Sequence, residues 1–240
     1  MADGECGADP LRSSRMEVVL IRHGEPEWVR DGASVDNPPL TERGHRQARL
    51  VAEGLRGLEI DDLFVSPLVR AQQTAAPLVE ALGTDPVTLP WLAEFATPDW
   101  GGTPAEIVEQ AFINGRNRPL EEQWDGLPGG ESFRDFHERV TTGMADLLAD
   151  TGAVQTSPHP PLWNLADPGR RVVVVAHGGT NAVALGYLLG IEPVPWEWER
   201  FVLFHASITR LRPTEISGGH SFSLTQLNGL GHLPAELLTS

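Results

Sequence analysis

Two short apolar runs constrain the fold of this 240-residue chain more than any other feature. The first is Val18–Ile21, in EVVLIRHGE, and the second is Val172–Val175, in RVVVVAHGGTN. Both are typical of buried strands, and each is followed by a histidine, His23 or His177. Ligands of parallel α/β sheets bind outside the carboxyl ends of the strands. We therefore expect the two imidazoles to meet at one ligand.

Helical patterns alternate with these strands along the chain. A further short strand is predicted at Leu63–Val65. Helices are predicted from Thr41 as N-cap, from Ser66 and Pro67 to Leu82, over residues 130–150, and from Thr180 to Leu189. Near the end, FVLFHASITRLRP and SFSLTQLN resemble a hairpin that extends the sheet. This alternation indicates βαβ units and an α/β fold with a mostly parallel central sheet.

The rest of the chain suggests one domain with a short tail. Residues 1–15 lack the apolar stretch of a secretory signal and are expected to be a disordered tail. Residues 16–240 are expected to form a single domain. The Pro-rich segment 151–169 is predicted to be a surface loop. It enters the last parallel strand at the amino end, so we expect it to lie far from the histidines.

Composition excludes several classes of partner. The formal charge of −15 disfavours nucleic-acid binding, because duplexes need a broad basic face. All 18 basic residues are arginine. No apolar run approaches the length of a membrane span. The single cysteine, Cys6, has no partner for an internal disulfide, so a cytoplasmic location is expected. Small anionic ligands remain compatible if a few arginines converge in one pocket.

Four residues at the predicted strand ends make an anion site. Arg22 and His23 follow the first strand, His177 follows the last, and Arg70 lies near the start of the helix after Leu63–Val65. Arginine offers forked donors that match phosphate oxygens, and the GGT after His177 opens a helix whose free amides also favour phosphate. A neutral imidazole placed there can attack phosphorus, and a general acid must then protonate the leaving oxygen.

The chain resembles the histidine phosphatase superfamily, the phosphoglycerate-mutase-like enzymes. The resemblance rests on LIRHGE, NPPLTERGHRQA, SPLVRAQQTA, WLAEF and VVVAHGG, in that order, and continues through FHASITRL and QLNGLGHL. It implies a three-layer α/β sandwich with a mostly parallel central sheet flanked by helices. It also implies that His23 is transiently phosphorylated and that Arg22, Arg70 and His177 bind the phosphoryl group. Glu94, in WLAEF, would be the acid that protonates the leaving group.

The sequence departs from the family pattern around this set. Pro26 and Val29 replace a hydroxyl residue and an asparagine, ATPDWGG replaces the usual pattern after Glu94, and His205 stands where asparagine is common. These changes are expected to reshape the surface that faces the substrate. We expect the following residues at this rim: Glu25, Trp28, Asn37, Phe95, Trp100 and Gly178.

Residues 95–130 are predicted to form a cap over the pocket. Four aromatic residues of this segment either line the pocket or pack in the core: Phe95, Trp100, Phe112 and Trp124. If they line the pocket, the substrate carries an uncharged body beside its phosphate. Trp196 and Trp198 form either a packing corner or an interface; we favour packing, and a homodimer is left open.

Three functions fit these observations. The favoured one is a phosphomonoesterase acting on a small phosphorylated metabolite, with no metal and no cofactor predicted. A cofactor-dependent phosphoglycerate mutase is the alternative, but segment 95–130 offers only Arg116 and Arg118 for a second anionic group. A catalytically silent module that binds phosphorylated ligands or serves in protein interactions is the third, and the presence of His23 and Glu94 argues against it.

Overall fold

A computed structural model describes residues 16–83, 85–167 and 169–240. The predicted tail and Cys6 therefore lie outside the described residues. The described residues form ten strands: β1 (Glu17–Arg22), β2 (Val29–Arg30), β3 (Ala33–Ser34), β4 (Asp62–Val65), β5 (Val87–Thr88), β6 (Ala153–Pro158), β7 (Pro161–Leu165), β8 (Arg171–Ala176), β9 (Ile208–Ile216) and β10 (Gly219–Gly229). They also form six α-helices: α1 (Glu42–Gly54), α2 (Val69–Leu82), α3 (Ala105–Arg116), α4 (Phe133–Asp150), α5 (Gly178–Leu189) and α6 (Glu197–Arg200).

Eight strands form one twisted sheet in the order β5-β4-β8-β1-β9-β10-β7-β6. The strands β5, β4, β8 and β1 are parallel, and the remaining four extend the sheet in antiparallel fashion. In the pairing of β1 with β8, Arg22 lies opposite Ala176, and the amide of His23 donates to the carbonyl of Ala176 at 2.9 Å. This register sets His23 and His177 side by side at the carboxyl edge.

The two apolar runs are buried on both faces of the sheet. Val18 and Leu20 of β1 belong to a core beneath α4 and α5, whereas Val19 and Ile21 belong to a second core beneath α1 and α2. The same division holds for the four valines of β8. Double-sided burial explains why neither run alternates with polar residues. The structure thus confirms the predicted three-layer α/β sandwich, with parallel strands at its centre.

Two helices begin at residues other than those predicted. Helix α2 begins at Val69, because the amide of Ser66 still bonds to the carbonyl of Val175 in the sheet at 3.0 Å. Pro67 therefore precedes the helix. Helix α5 begins at Gly178, two residues before the predicted Thr180, because a carboxylate from elsewhere in the chain bonds to its first amides.

The prediction of a surface loop at residues 151–169 is wrong. The segment forms the antiparallel pair β6 and β7, which joins the sheet where Trp163 pairs with His220 of β10. Trp163 is fully buried and packs edge-on against Phe222 and Tyr187. Pro158, Pro160 and Pro161 lie at the strand ends and in the turn, where a missing N–H breaks no ladder, and Pro168 lies outside the described residues.

The predicted hairpin near the end of the chain is confirmed as β9 and β10. Within the part of the chain that the structure describes, no helix is both long and apolar enough to cross a membrane.

Candidate active site

His23 and His177 meet where β1 and β8 end. Their ring centroids are 5.0 Å apart in an edge-to-face arrangement, and both side chains are buried. The chain can turn sharply after His23 because Gly24 and Gly44 allow the start of α1 to approach. A Cβ on Gly24 would lie 2.6 Å from the carbonyl oxygen of Gly44. The close approach of the two backbones therefore requires glycine at position 24, directly after His23.

The hydrogen bonds of His23 determine its tautomer. Its Nδ1 lies 2.7 Å from the carbonyl oxygen of Gly24, which can only accept, so Nδ1 carries the proton. Its Nε2 accepts a hydrogen bond from Nε of Arg70 at 3.1 Å. Burial lowers the pKa of His23 well below its ordinary value, and the charges of His177, Arg70 and Arg22 lower it further. The lone pair of a neutral imidazole is thus held at Nε2.

Arg70, which is buried, contacts this lone pair, and Arg22, which is partly buried, carries the second positive charge of the site. Burial lowers the pKa of Arg22 and of Arg70 to about 10, while the charge of Glu94 acts in the opposite direction on both. Both guanidinium groups are therefore still cationic at neutral pH. The guanidinium carbon of Arg70 also lies 4.9 Å from the centroid of a Trp28 ring, within cation–π range. Nε of Arg22 is buried and has no partner among the described residues.

His205 is a third histidine at this site, which the sequence analysis noted only as a departure from the family pattern. Its Nε2 lies 3.0 Å from Nη2 of Arg22, and because a guanidinium can only donate, Nε2 accepts. Its Nδ1 faces the hydroxyl of Thr239 at 3.0 Å, and its ring centroid lies 5.6 Å from that of His23. Burial, followed by the charges of Arg22 and Arg70, lowers the pKa of His205 to about 3. Arg22 also donates to the carbonyl of Leu203.

Ser66 holds His177 in place. The Ser66 hydroxyl lies 2.7 Å from Nε2 of His177, while Nδ1 of His177 is buried without a partner among the described residues. Burial lowers the pKa of His177 well below its ordinary value, and the charges of Arg70 and Arg22 add to this effect. Sequence reasoning assigned Ser66 to a helix start, because nothing in the local pattern connects it to a residue 111 positions away.

Glu94 occupies the amino terminus of α5. Its two carboxylate oxygens accept hydrogen bonds from the amides of Gly179 at 2.9 Å and Thr180 at 3.1 Å. A Cβ on Gly179 would lie 2.6 Å from this carboxylate, so the second glycine of the GGT motif makes room for it. We expected the first amides of this helix to face a phosphate. For Gly179 and Thr180 that expectation is wrong, since the protein supplies its own anion.

A pocket of about 790 Å³ extends from Arg22 and Arg70 towards the predicted cap segment. The expected rim residues that line it are Trp28, Asn37, Phe95, Trp100 and Gly178. The exception is Glu25, which accepts hydrogen bonds from the Thr41 hydroxyl at 2.7 Å and from Arg43 at 3.1 Å. Glu25 thus stabilises the start of α1 and is not among the lining residues.

The aromatic residues of segment 95–130 have different positions. Phe112 and Trp100 line the pocket and contact each other edge to face, with centroids 5.5 Å apart. Phe95 lines the pocket and also packs on Phe133 in the core. Trp124 lies outside the pocket, beside His137. Segment 95–130 therefore contributes one side of the pocket through some of its aromatic residues.

Trp196 and Trp198 pack against each other, with centroids 5.4 Å apart. Trp196 is buried, and Trp198 additionally lines the pocket, so the pair forms a packing corner as we favoured. The homodimer stays a prediction.

Among the described residues, no group of three or more His, Cys, Asp or Glu side chains is placed to hold a metal ion.

Comparison with known proteins assigns the family. A family model described as the histidine phosphatase superfamily (branch 1) matches residues 18–157. A probable phosphoglycerate mutase, GpmB, of Enterobacter sp. strain 638 is 30% identical over 236 residues, covering 93% of this chain and 97% of the relative. The solved structure of a mycobacterial glucosyl-3-phosphoglycerate phosphatase is 28% identical, with a TM-score of 0.66 over 89% of this chain and 98% of that chain. A second solved structure, mycobacterial hydrolase 2, is 27% identical, with a TM-score of 0.68 over 92% of this chain and 94% of that chain. This chain belongs to branch 1 of the histidine phosphatase superfamily.

Proposed function

We propose that this protein is a phosphomonoesterase that hydrolyses a small phosphorylated metabolite through a phosphohistidine on His23, without a metal ion. The observation that carries the proposal is the tautomer of His23. The carbonyl of Gly24 holds the proton on Nδ1, so the Nε2 lone pair points to Arg70, where a phosphoryl group would bind. A buried neutral imidazole that faces cations is suited to attack an anionic phosphorus centre.

In the first step, Nε2 of His23 forms a bond to phosphorus while the ester P–O bond breaks. Arg22 and Arg70 stabilise the charge on the equatorial oxygens. His177 would donate from Nδ1, which is buried and free, provided that its Nε2 accepts from the Ser66 hydroxyl. The leaving oxygen takes a proton from the protonated form of Glu94, which lines the same pocket as the two arginines, and this step leaves Glu94 as the carboxylate.

In the second step, Glu94 takes a proton from a water molecule that attacks phosphorus. The N–P bond breaks, inorganic phosphate forms, and His23 regains its lone pair. The hydrogen bonds from Gly179 and Thr180 hold the Glu94 carboxylate at a fixed position during both steps.

A phosphoglycerate mutase is the second candidate, because relatives such as the Enterobacter protein carry that name. A mutase must grip a second anionic group of its substrate. Beyond Arg22 and Arg70, Arg116 is the one further arginine among the described residues that line the pocket. It is paired with Glu199 at 2.6 Å, and Arg118 is bonded to Glu122 outside the pocket. These pairings favour the phosphatase.

The proposal is tested with 4-nitrophenyl phosphate in the presence of a metal chelator. We expect turnover by the wild type, and a loss of more than about 10³-fold in kcat for His23→Ala. His159→Ala is the matched control, because His159 is exposed in the turn between β6 and β7. Glu94→Gln should accumulate phosphohistidine, detected by mass spectrometry without acid quench. Turnover that survives His23→Ala would refute the mechanism, and an inactive wild type would favour the silent module.

A further inference from the structure

We propose that the outer part of this pocket binds an apolar, uncharged body, so that the substrate is a phosphate monoester of an apolar alcohol or phenol. The inference rests on the proposed function and specifies its substrate class. It predicts discrimination against esters that carry a second anionic group, such as 3-phosphoglycerate.

The mouth of the pocket is lined by exposed apolar side chains. Three large apolar side chains that line it are strongly exposed: Trp28 at 45%, Val29 at 47% and Val202 at 53%. They come from two separate parts of the chain, yet they converge on one opening. Exposed apolar side chains that converge on a concavity, instead of being scattered singly, mark a binding surface.

The opposite wall of the pocket is formed by helix α3 and the loop before it. Ala105, Val108 and Phe112 line the pocket and recur at helical spacing, so they belong to one face of α3. The edge-to-face contact between Phe112 and Trp100 fixes the orientation of both rings. The bridge between Ala33 and Pro104 ties the start of α3 to strand β3. The wall is therefore apolar, and both helix α3 and the loop before it are fixed in position by these contacts.

Beyond the phosphoryl site, the side chains that line the pocket carry more negative than positive charge. Among the described residues that line it, three arginines face three carboxylates: Arg22, Arg70 and Arg116, and Asp36, Glu94 and Glu199. The first two arginines are needed by the phosphoryl group. The third is bonded to Glu199 and lies over the ring of Trp196 at 5.3 Å. The one remaining arginine is thus already paired, and the Asp36 carboxylate repels a second anionic group.

The size of the pocket supports the same substrate class. Its volume of about 790 Å³ falls in the range of cavities that hold whole drug-sized ligands. A three-carbon phosphate would leave most of the apolar wall in contact with water. An ester with a bicyclic or similarly large body would instead cover Trp28, Trp100 and Phe112 together.

The substrate class is tested by comparing 1-naphthyl phosphate with 3-phosphoglycerate. We expect kcat/KM for the naphthyl ester to be at least about 100-fold higher, because naphtholate is the better leaving group and because the naphthyl body contacts the apolar walls, a contact that the next variant isolates. Trp100→Ala should lower kcat/KM for 1-naphthyl phosphate about tenfold and leave the inhibition constant of inorganic phosphate unchanged. Trp124→Ala is the matched control, because this tryptophan of the same segment lies outside the pocket.

A second variant tests the charge argument. Glu199→Gln frees Arg116 from its partner, so the ratio of kcat/KM for 3-phosphoglycerate to kcat/KM for 1-naphthyl phosphate should rise about fivefold. Equal kcat/KM for the two esters in the wild type would overturn the inference and leave the phosphatase proposal standing. Equal losses in Trp100→Ala and Trp124→Ala would also overturn it.

A binding measurement separates failure of the inference from failure of the proposed function. Quenching of tryptophan fluorescence in the His23→Ala protein reports the affinity of each ester without turnover. If the wild type hydrolyses neither ester, the phosphatase proposal fails. Tighter binding of 1-naphthyl phosphate than of 3-phosphoglycerate would then still support the apolar site, and equal binding would overturn it.

Discussion

Acid should destabilise this protein through His205 by an amount that can be worked out from its surroundings. Burial and the charges of Arg22 and Arg70 lower the pKa of His205 from 6.5 to about 3 in the folded state. The unfolded chain therefore binds a proton at this side chain between these two pH values, and the folded protein does not. The contribution of the neutral His205 to the free energy of unfolding is consequently full above pH 6.5, and it is lost as the pH falls from 6.5 towards 3. Between pH 7.5 and 5.0 the loss from this one histidine is about 2 kcal/mol.

The variant His205→Gln removes this titration and keeps an acceptor for Arg22, because a glutamine amide oxygen can reach the position of the imidazole Nε2. Urea unfolding at pH 7.5 and 5.0, followed by tryptophan fluorescence, gives the stability change of each protein. The other titrating groups are common to both proteins, so they cancel in the difference. We expect the wild type to lose about 2 kcal/mol more than His205→Gln over this pH interval.

His159→Gln is the control for this measurement, because His159 is exposed in the turn between β6 and β7. It should lose as much stability as the wild type between the two pH values. The comparison is best made on unfolding midpoints, because extrapolation to zero urea carries an uncertainty of about 10–15%. Equal losses in the wild type and His205→Gln would refute the burial of a neutral His205 against Arg22.

Two further predictions concern residues that the sequence analysis did not place in any site. Ser66→Ala should lower kcat/KM about tenfold and the free energy of unfolding by about 1–3 kcal/mol, because it removes the bond that orients the buried His177; an unchanged pH–rate profile with unchanged kcat/KM would contradict this role. Glu17→Gln should lower the free energy of unfolding by about 3 kcal/mol, since it leaves three bonded arginines without their buried anion. Glu17 lies at the opposite end of β1 from His23, so kcat per folded molecule should stay constant, and a parallel loss of kcat would contradict the separation of the two ends.

The sequence predicted those parts of the fold that depend on local patterns. The continuous valine runs of β1 and β8 indicate strands buried on both sides, and the residues that follow them must then share one edge of the sheet. Arg70 was placed near this edge because it follows a strand by only a few residues. These inferences need nothing beyond strand direction and connection rules, so one sequence is enough to make them.

Contacts between distant segments could not be predicted in this way. The bond between Ser66 and His177, and that between Arg22 and His205, depend on strand register across 111 and 183 positions of the chain. The position of Glu94 at the start of α5 depends on a glycine whose missing side chain makes room for it. The segment 151–169 was misread because proline counts were taken as evidence of a loop, although proline is tolerated at strand ends.

The position of β1 in the sheet has a consequence for synthesis of the chain. β1 is formed near the beginning of the described residues, yet both of its neighbours, β8 and β9, come after residue 170. At about 5–20 residues per second, the roughly 150 residues between β1 and β8 take about 8–30 s to emerge. During that interval β1 is an apolar strand with two unpaired edges, the kind of segment that pairs with other chains. Slower translation of the second half would lengthen this exposure, so the yield of native protein should depend on elongation rate.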